Sequence, residues 1–507
     1  MTFEQLLQGA EVLSRTGNVP VSGLEYDSRR VKPGDLFVAM QGESSDGNKF
    51  IDKAIAAGAV AIVTDSAAEA PRANVAWAQV EHGRRALARL SANFYKRPAE
   101  HLTISGITGT NGKSTVAFLL ESILAADHRK SALVGTIEYH VAGKILPAPH
   151  TTPEGLDLNR ILAEALGSGA TEAVMEVSSH ALVQQRVYGI PFDVAIFTNL
   201  TRDHLDYHHT MEEYFAAKQV LFEGCGTDAP RGAVINVEDE YGQKLIAVSR
   251  KRSAEVLTYG LALGDFHSQK AEITSRGTRF DLVTPAGTMP IFSPLIGRVN
   301  VFNIIAAAAA GSARGCRPEA IVRGIEDLRR VPGRFERVDC NQPFTLVVDY
   351  AHTDDALRNL TGLAREFVRQ AGHGSRVITV FGCGGDRDRA KRPLMGEAAG
   401  RGSDFVVLTS DNPRSEDPLA IINDAMVGLQ RTGAKYTVEP DRCAAIAMAV
   451  AEAGPGDIVL IAGKGHEKVQ VTREGSRPFD DVRVARQALH SAGYSCEAAD
   501  AAVGNHA

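Results

Sequence analysis

The sequence predicts an α/β protein of three domains built on parallel sheets, and three observations carry that expectation. The chain has 507 residues, too many for one hydrophobic core and about three times a common domain length. Short β-branched runs alternate with helix-length amphipathic segments over most of the length, the pattern of strands joined by crossover helices. Clusters of unusual polar residues then fall where those strands end: GTNGKST, SSHAL, NLTRDHLDYHH, DYAHTDD, GCGGDRDRAKR, SDNPR and GKGHE. Open parallel sheets bind ligands in the crevice beyond the carboxyl ends of their strands, so this one-sided placement points to a site or two facing sites.

In the middle of the chain strands are expected at 102–108 (LTISGIT), 172–178 (EAVMEVS), 193–199 (DVAIFTN) and 232–237 (GAVINV). In the last third they are expected at 344–350 (FTLVVDY), 376–382 (RVITVFG), 404–410 (DFVVLTS) and 456–463 (GDIVLIAG). Proline-bearing interruptions, NFYKRPAEH and RRVPGRFERV, divide the pattern into domains at 1–98, 99–331 and 332–507. There is no internal repeat, and the alanine-rich tail EAADAAVGNHA is expected to fray.

Composition narrows the function classes. A net charge of −6 with no basic run argues against nucleic acid as a partner. The six cysteines (Cys225, Cys316, Cys340, Cys383, Cys443 and Cys496) contain no C-x-x-C pair, which argues against a zinc site or a disulfide framework and fits a reducing cytoplasm. The opening MTFEQLLQGAEVLSRTG lacks the basic and apolar regions of a signal peptide. The most apolar helix candidate, VFNIIAAAAAG, is short for a membrane span. A cytoplasmic, soluble protein is expected.

The stretch ISGITGTNGKST carries the chemistry. A phosphate loop of the form G-x-x-x-x-G-K-[ST] requires glycine at the position of Ile107, so the strict pattern fails. Yet Gly109, Gly112, Lys113 and Ser114 follow a strand and open the helix STVAFLLESILAADH, apolar at Val116, Leu119, Leu120 and Ile123. In that context backbone N–H groups at the helix start point at phosphate oxygens, Lys113 reaches the β- and γ-phosphates, and Ser114 ligates Mg²⁺. The shifted glycine marks a variant loop.

TGTNGKST resembles the ATP loop of the Mur ligases, which add amino acids to the cell-wall precursor UDP-N-acetylmuramic acid. Further motifs of that family follow in order: the DSR of LEYDSRR, the TTP of HTTPEG, MEVSSHAL, NLTRDHLDYH, the lysine of FAAKQVLF, NIIAAAAA, PGRFE, VDYAHT, GCGGDRDRAKRP, DNPR and GKGHE. The resemblance implies an N-terminal UDP-binding α/β domain, a central P-loop-type ATPase domain and a C-terminal Rossmann-like domain that takes the amino acid. It also implies an activity: ATP- and Mg²⁺-dependent addition of meso-diaminopimelate to UDP-N-acetylmuramoyl-L-alanyl-D-glutamate through an acyl phosphate; a monomer is expected.

Residue by residue, the resemblance places Gly109, Thr110, Asn111, Gly112, Lys113, Ser114 and Thr115 around the ATP phosphates. Asn303 would face the adenine, although an asparagine can also cap that helix. Arg334 would stabilise the transferring phosphoryl group, Asp349 would hold the ribose and His352 would close over the nucleotide. Glu176 is a hard oxygen ligand suited to Mg²⁺ beside Ser114. His204 would stand at a second magnesium, an assignment that leans on the family because imidazole rarely ligates Mg²⁺. Lys218 lies on a helix, where lysine is usually solvated. The matching family lysine is carbamylated by CO₂ to N6-carboxylysine, which turns a cation into an anionic metal ligand. His208 and His209 have no counterpart and read as surface or supporting residues, and His180 has no role assigned. Ser28 would contact the uracil nucleotide, and the loop with Glu43, Ser44 and Ser45 occupies a second contact there. Thr151, Thr152, Ser178, Gln184 and Arg186 would hold the muramoyl-dipeptide. Arg387, Asp411, Asn412, Pro413, Arg414, Gly463 and Glu467 would hold diaminopimelate. Rival readings are a folylpolyglutamate synthase, a P-loop NTPase without ligase chemistry, and a non-catalytic sugar-nucleotide binder.

Overall fold

The computed structural model describes residues 1–496 apart from 43–44, 253, 275 and 372–373. The tail EAADAAVGNHA and the loop residues Glu43 and Ser44 therefore lie outside the described residues. Three α/β units follow one another, each with its own sheet. The first sheet has five strands in the spatial order Val12–Thr16, Ala76–Val80, Ala61–Thr64, Asp35–Ala39 and Gly23–Glu25, parallel except at the Val12–Thr16 edge.

The central sheet has eight strands, and its six-stranded parallel part runs from Glu255–Tyr259 to Ser131–Val134. Thr103–Thr108 lies between Val194–Phe197 and Glu172–Glu176, so the loops leaving all three strands meet. The helix Lys113–Ala126 packs on this sheet with Val116, Leu119, Leu120, Ile123 and Leu124 fully buried. Beside it runs the helix Arg298–Ala313, whose alanines 306–310 are all buried in the same cluster. Small side chains let these helices approach closely, which accounts for an alanine-rich helix in a core. Among the described residues no helix is long and apolar enough to cross a membrane.

The C-terminal sheet has six strands, with Ile458–Ala462 between Thr345–Asp349 and Val377–Phe381, then Phe405–Leu408 and Lys435–Val438, all parallel, and the short Glu336–Val338 antiparallel at the edge. All eight strands expected from the sequence form, each a little shorter than its run. A three-stranded antiparallel sheet over His267–Thr274, Gly277–Thr284 and Gly287–Ser293 is an addition that the parallel reading does not anticipate.

The two joints between units differ. At the first, Leu156 of the central unit is buried in the apolar cluster of Phe3, Leu36 and Leu87. Around it Tyr26 donates to Asp157 at 2.8 Å, and Arg84 donates to both oxygens of Glu154 at 2.7 and 2.8 Å. At the second joint Arg334 donates to Ser114 Oγ at 3.2 Å and Asn111 Nδ2 to Asp355 at 3.2 Å. Among the described residues no buried apolar cluster joins the chain before residue 331 to the chain after it.

One expectation is corrected. The sequence argues against disulfides, but Cys340 and Cys496 are bonded across a separation of 156 residues. The turn after Glu336–Val338 meets the segment after the helix Asp481–Ser491, where Phe344 and Tyr494 stack edge to face with centroids 5.8 Å apart. A pairing made by tertiary contact leaves no spacing signature in the sequence.

Candidate active site

The phosphate loop leaves the strand Thr103–Thr108 and enters the helix Lys113–Ala126 through backbone that only glycine takes without strain. Gly109 has φ 145° and Gly112 φ 89°, and a β-carbon would collide with Thr198 at the first and with Asn303 at the second. The TNL segment after Val194–Phe197 braces the loop. Thr110 N–H donates to Asn199 O at 2.8 Å, Asn111 N–H to Asn199 Oδ1 at 3.0 Å, and Thr198 Oγ1 to Asn111 O at 2.6 Å.

Two lysines converge on this loop. Lys113 Nζ donates to Gly109 O at 3.0 Å and Thr110 O at 2.9 Å. Lys218 Nζ, from the helix Met211–Glu223, donates to the same Gly109 O at 2.8 Å and sits 4.5 Å from the Tyr214 ring centroid. Lys218 is 1% exposed, so the solvated position usual for a helical lysine does not apply. Burial, and then the neighbouring Lys113, push its pKa well below the ordinary lysine value. Burial also lowers Lys113, against the opposing attraction of Glu176.

Glu176 ends the strand Glu172–Glu176, and Thr136 grips it: N–H to Oε1 and Oγ1 to Oε2, both at 2.8 Å. Thr136 Oγ1 also lies 3.1 Å from Thr151 Oγ1. Thr152 Oγ1 donates to Glu176 O at 2.9 Å and accepts from Ser178 N–H at 3.0 Å, while Ser178 Oγ caps the helix Ser179–Val183. Arg186 donates to Thr152 O at 3.1 Å and to Gln184 Oε1 at 2.6 Å, and its Nε lies 3.1 Å from Glu154. Thr151, Thr152, Ser178, Gln184 and Arg186 thus form one contiguous wall beside the loop. Ser28 is buried in the first unit. In the neighbouring loop Ser45 O accepts from Gly42 N–H at 3.0 Å.

His204 stands at φ 52° with its Nε2 3.3 Å from Asp203 and its ring 4.9 Å from that of His180. Loss of solvent around the two rings lowers the pKa of both His204 and His352, which favours the neutral imidazole, the form that ligates metals. His352, from the third unit, lies 3.8 Å from Asp203, as does Lys391. His208 is not a surface residue: it is buried, its Nε2 is 2.8 Å from Ser179 Oγ, and its ring stacks on Tyr214 at 5.0 Å. A short helix, Leu205–His208, turns it inward, which residue type alone does not reveal. His209 is exposed. Asn303 lies inside its helix, not at the cap, with its amide against Gly112 and Nδ2 donating to Asn300 at 3.1 Å. Asp349 accepts from Phe335 N–H at 2.7 Å and Ala351 N–H at 2.8 Å, which fixes the turn that carries Arg334.

At the carboxyl ends of the third sheet, Arg414 stands at φ 53° and donates to Gly385 O at 2.6 Å. Its pKa is lowered by burial and then by the neighbouring Arg387, whose own side chain donates to Asp386 O at 3.0 Å. Two guanidiniums held together on backbone oxygens form a receptor for an anion. Opposite them Asn412 donates to Glu467 Oε2 at 2.7 Å, and Asp411 faces Gly463, where φ is 117° and a β-carbon would stand 2.6 Å from Asp411 Oδ2. Thr136, Asp203, Lys391 and Lys464 are the neighbours that sequence reasoning misses. Lys464 and Lys391 sit inside motifs already singled out, and only Thr136 follows a strand too short to be seen in advance, Ser131–Val134.

A strand, a glycine loop and a helix whose first lysine is half-buried near a braced carboxylate define an enzyme of the P-loop class, here shared between two α/β units. The chain belongs to the Mur ligase family: its middle-domain model matches residues 107–311, its glutamate ligase domain 333–465 and its family catalytic domain 20–95. A UDP-N-acetylmuramoyl-L-alanyl-D-glutamate–2,6-diaminopimelate ligase of Solibacter usitatus is 55% identical, covering 94% of each chain. The enzyme of the same name from Geobacter metallireducens is 45% identical, over 93% of this chain and 95% of its own. A solved structure of a ligase of that name is 35% identical, with a TM-score of 0.65, covering 94% of this chain and 96% of the other.

Proposed function

We propose that the chain joins meso-diaminopimelate to UDP-N-acetylmuramoyl-L-alanyl-D-glutamate at the cost of ATP, in the cytoplasmic assembly of a peptidoglycan precursor that serves wall growth, cell shape and division. Near-full-length kinship to relatives of that name is the observation that carries this reading. The three units are taken as 1–98 for the UDP end, 99–331 for ATP and 332–507 for the amino acid, in a monomer.

A carboxylate oxygen is a poor leaving group, so amide formation requires activation. The γ-phosphoryl group passes from ATP to the D-glutamyl carboxylate, the amine of diaminopimelate attacks the acyl phosphate, and phosphate leaves. Phosphoryl transfer is largely positioning and neutralisation of charge. Lys113 and the loop amides hold the β- and γ-phosphates, and Arg334, reaching Ser114 from the third unit, stabilises the charge in flight. Asn303, Asp349 and His352 complete the nucleotide site, while Arg186, Gln184, Ser178, Thr152 and Thr151 hold the dipeptide and Ser28 the uracil end. A closed second joint excludes water from the acyl phosphate.

The donor set fits Mg²⁺. Among the described residues no group of three metal-ligating His, Cys, Asp or Glu side chains occurs. Mg²⁺ commonly uses one or two protein oxygens, with nucleotide phosphates and water filling its shell. Ser114 Oγ and the braced Glu176 supply such oxygens, and His204 with carbamylated Lys218 would serve a second ion. When bound, the ions neutralise phosphate charge. Lys218 suits the modification because burial favours its neutral, nucleophilic amine.

Phosphate release should require ATP, the UDP-linked dipeptide and meso-diaminopimelate together. Equal release with the dipeptide and amine omitted would mark a P-loop NTPase, and release only with a folate acceptor and glutamate a folylpolyglutamate synthase. Lys218→Ala is expected to lose at least about 10²-fold in turnover and to recover in part with added short carboxylates. Undiminished turnover would remove Lys218 from the metal site.

A further inference from the structure

We propose that Lys464 is a positioning residue for amino-acid specificity: it fixes Glu467 so that one carboxylate oxygen meets the far ammonium of the incoming diamino acid. The proposal rests on the reading of Glu467 as the partner of that ammonium.

Lys464 lies in GKGHE, directly after the strand Ile458–Ala462. The left-handed Gly463 brings the chain against Asp411 and turns the next side chain inward. Lys464 is 0% exposed, so it does not reach a ligand itself. All three of its N–H donors are used: to Asn412 Oδ1 at 3.0 Å, to Glu467 Oε2 at 2.9 Å and to Val469 O at 2.7 Å.

The geometry on the partner side is unequal. Glu467 Oε2 accepts from both Lys464 and Asn412 Nδ2, whereas Oε1 accepts no hydrogen bond among the described residues. The Glu467 side chain is 28% exposed above the fully covered lysine. Asn412 cannot turn to compensate, because its Oδ1 also accepts from Val471 N–H at 2.9 Å. Burial raises the Glu467 pKa, but Lys464 and Asn412 together bring it below the ordinary value. The result is a carboxylate held by one oxygen, with the other left for a ligand, in a site where Arg414 is an electrostatic neighbour. A diamino diacid offers an ammonium and a carboxylate at its far end, which match this oxygen and the guanidiniums of Arg387 and Arg414.

The test compares meso-diaminopimelate with 2-aminopimelate, which keeps the far carboxylate and lacks the far amine. Lys464→Met should raise KM for meso-diaminopimelate by roughly 10- to 100-fold, leave KM for ATP and the UDP-linked dipeptide unchanged, and shrink the preference for meso-diaminopimelate over 2-aminopimelate. Adding Lys464→Met to Glu467→Gln should reduce that preference no further than Glu467→Gln alone. Equal loss of kcat/KM toward both amines in Lys464→Met, or additive loss in the double variant, would make Lys464 merely structural and overturn the proposal. An unchanged preference in Glu467→Gln would instead overturn the ammonium pairing on which it rests. Should Lys464→Met not fold, Lys464→Gln, which keeps donors but removes the charge, carries the same comparison.

Discussion

Lys113→Ala should lower ligation by at least about 10³-fold at saturating ATP while leaving the fold intact. The ammonium is the one cation that the loop itself places at the phosphates, and nothing nearby replaces it. Lys218 donates to the same carbonyl oxygen from another helix, and its proposed part is at the metal. Arg334 arrives from another unit and is engaged with Ser114. Lys113 is half-buried and its Nζ donates to Gly109 O and Thr110 O, so truncation costs the loop two hydrogen bonds and leaves the apolar core of the unit untouched. Thermal unfolding alongside phosphate release separates the two effects. Wild-type turnover in Lys113→Ala would remove the loop from the chemistry.

The second large effect concerns which amino acid is chosen. meso-Diaminopimelate differs from lysine by one carboxylate at the far end, and Arg414 and Arg387 form the cationic pair available to it. Arg414 donates to Gly385 O at 2.6 Å and leaves the rest of its fork for a bidentate anion. Lysine would leave both guanidiniums without that partner, a mismatch of the kind that costs on the order of 10⁴-fold in kcat/KM. The expected result is a strong preference for meso-diaminopimelate over L-lysine that largely disappears in Arg414→Ala. Comparable kcat/KM for the two amino acids in the unaltered protein would refute this specificity and leave the ligase reading intact.

Legibility in the sequence follows from how local each cause is. The phosphate loop is legible because glycine, lysine and serine are required there by backbone geometry and charge within a few consecutive residues. The parallel strands are legible because burial on both faces writes continuous apolar, β-branched runs, such as the IVLIA of GDIVLIAG, where Ile458–Ala462 is wholly buried. The sheet over 267–293 escapes because its edge strand His267–Thr274 is largely exposed and carries Gln269, Lys270 and Glu272 with no apolar run. Lys218 reads as a surface lysine until the tertiary fold closes over it, and only the family resemblance anticipates its importance. Thr136, which holds both oxygens of Glu176, follows a four-residue strand too short to be seen. The Cys340–Cys496 bond joins positions that only the folded third unit brings together.

The contrast between the two joints sets a mechanical hierarchy. Separating the first unit from the second exposes Leu156 and the apolar cluster it enters, a loss that water does not make good. Separating the second from the third exchanges hydrogen bonds such as Arg334 to Ser114 and Asn111 to Asp355 for equivalent bonds to water, at small net cost. The first two units are therefore expected to move as one body, with the third as the unit that opens and closes against them. If Arg334 and His352 serve the nucleotide as proposed, an open arrangement would keep the phosphate cradle but lack a complete catalytic site, and closure of the third unit would complete it.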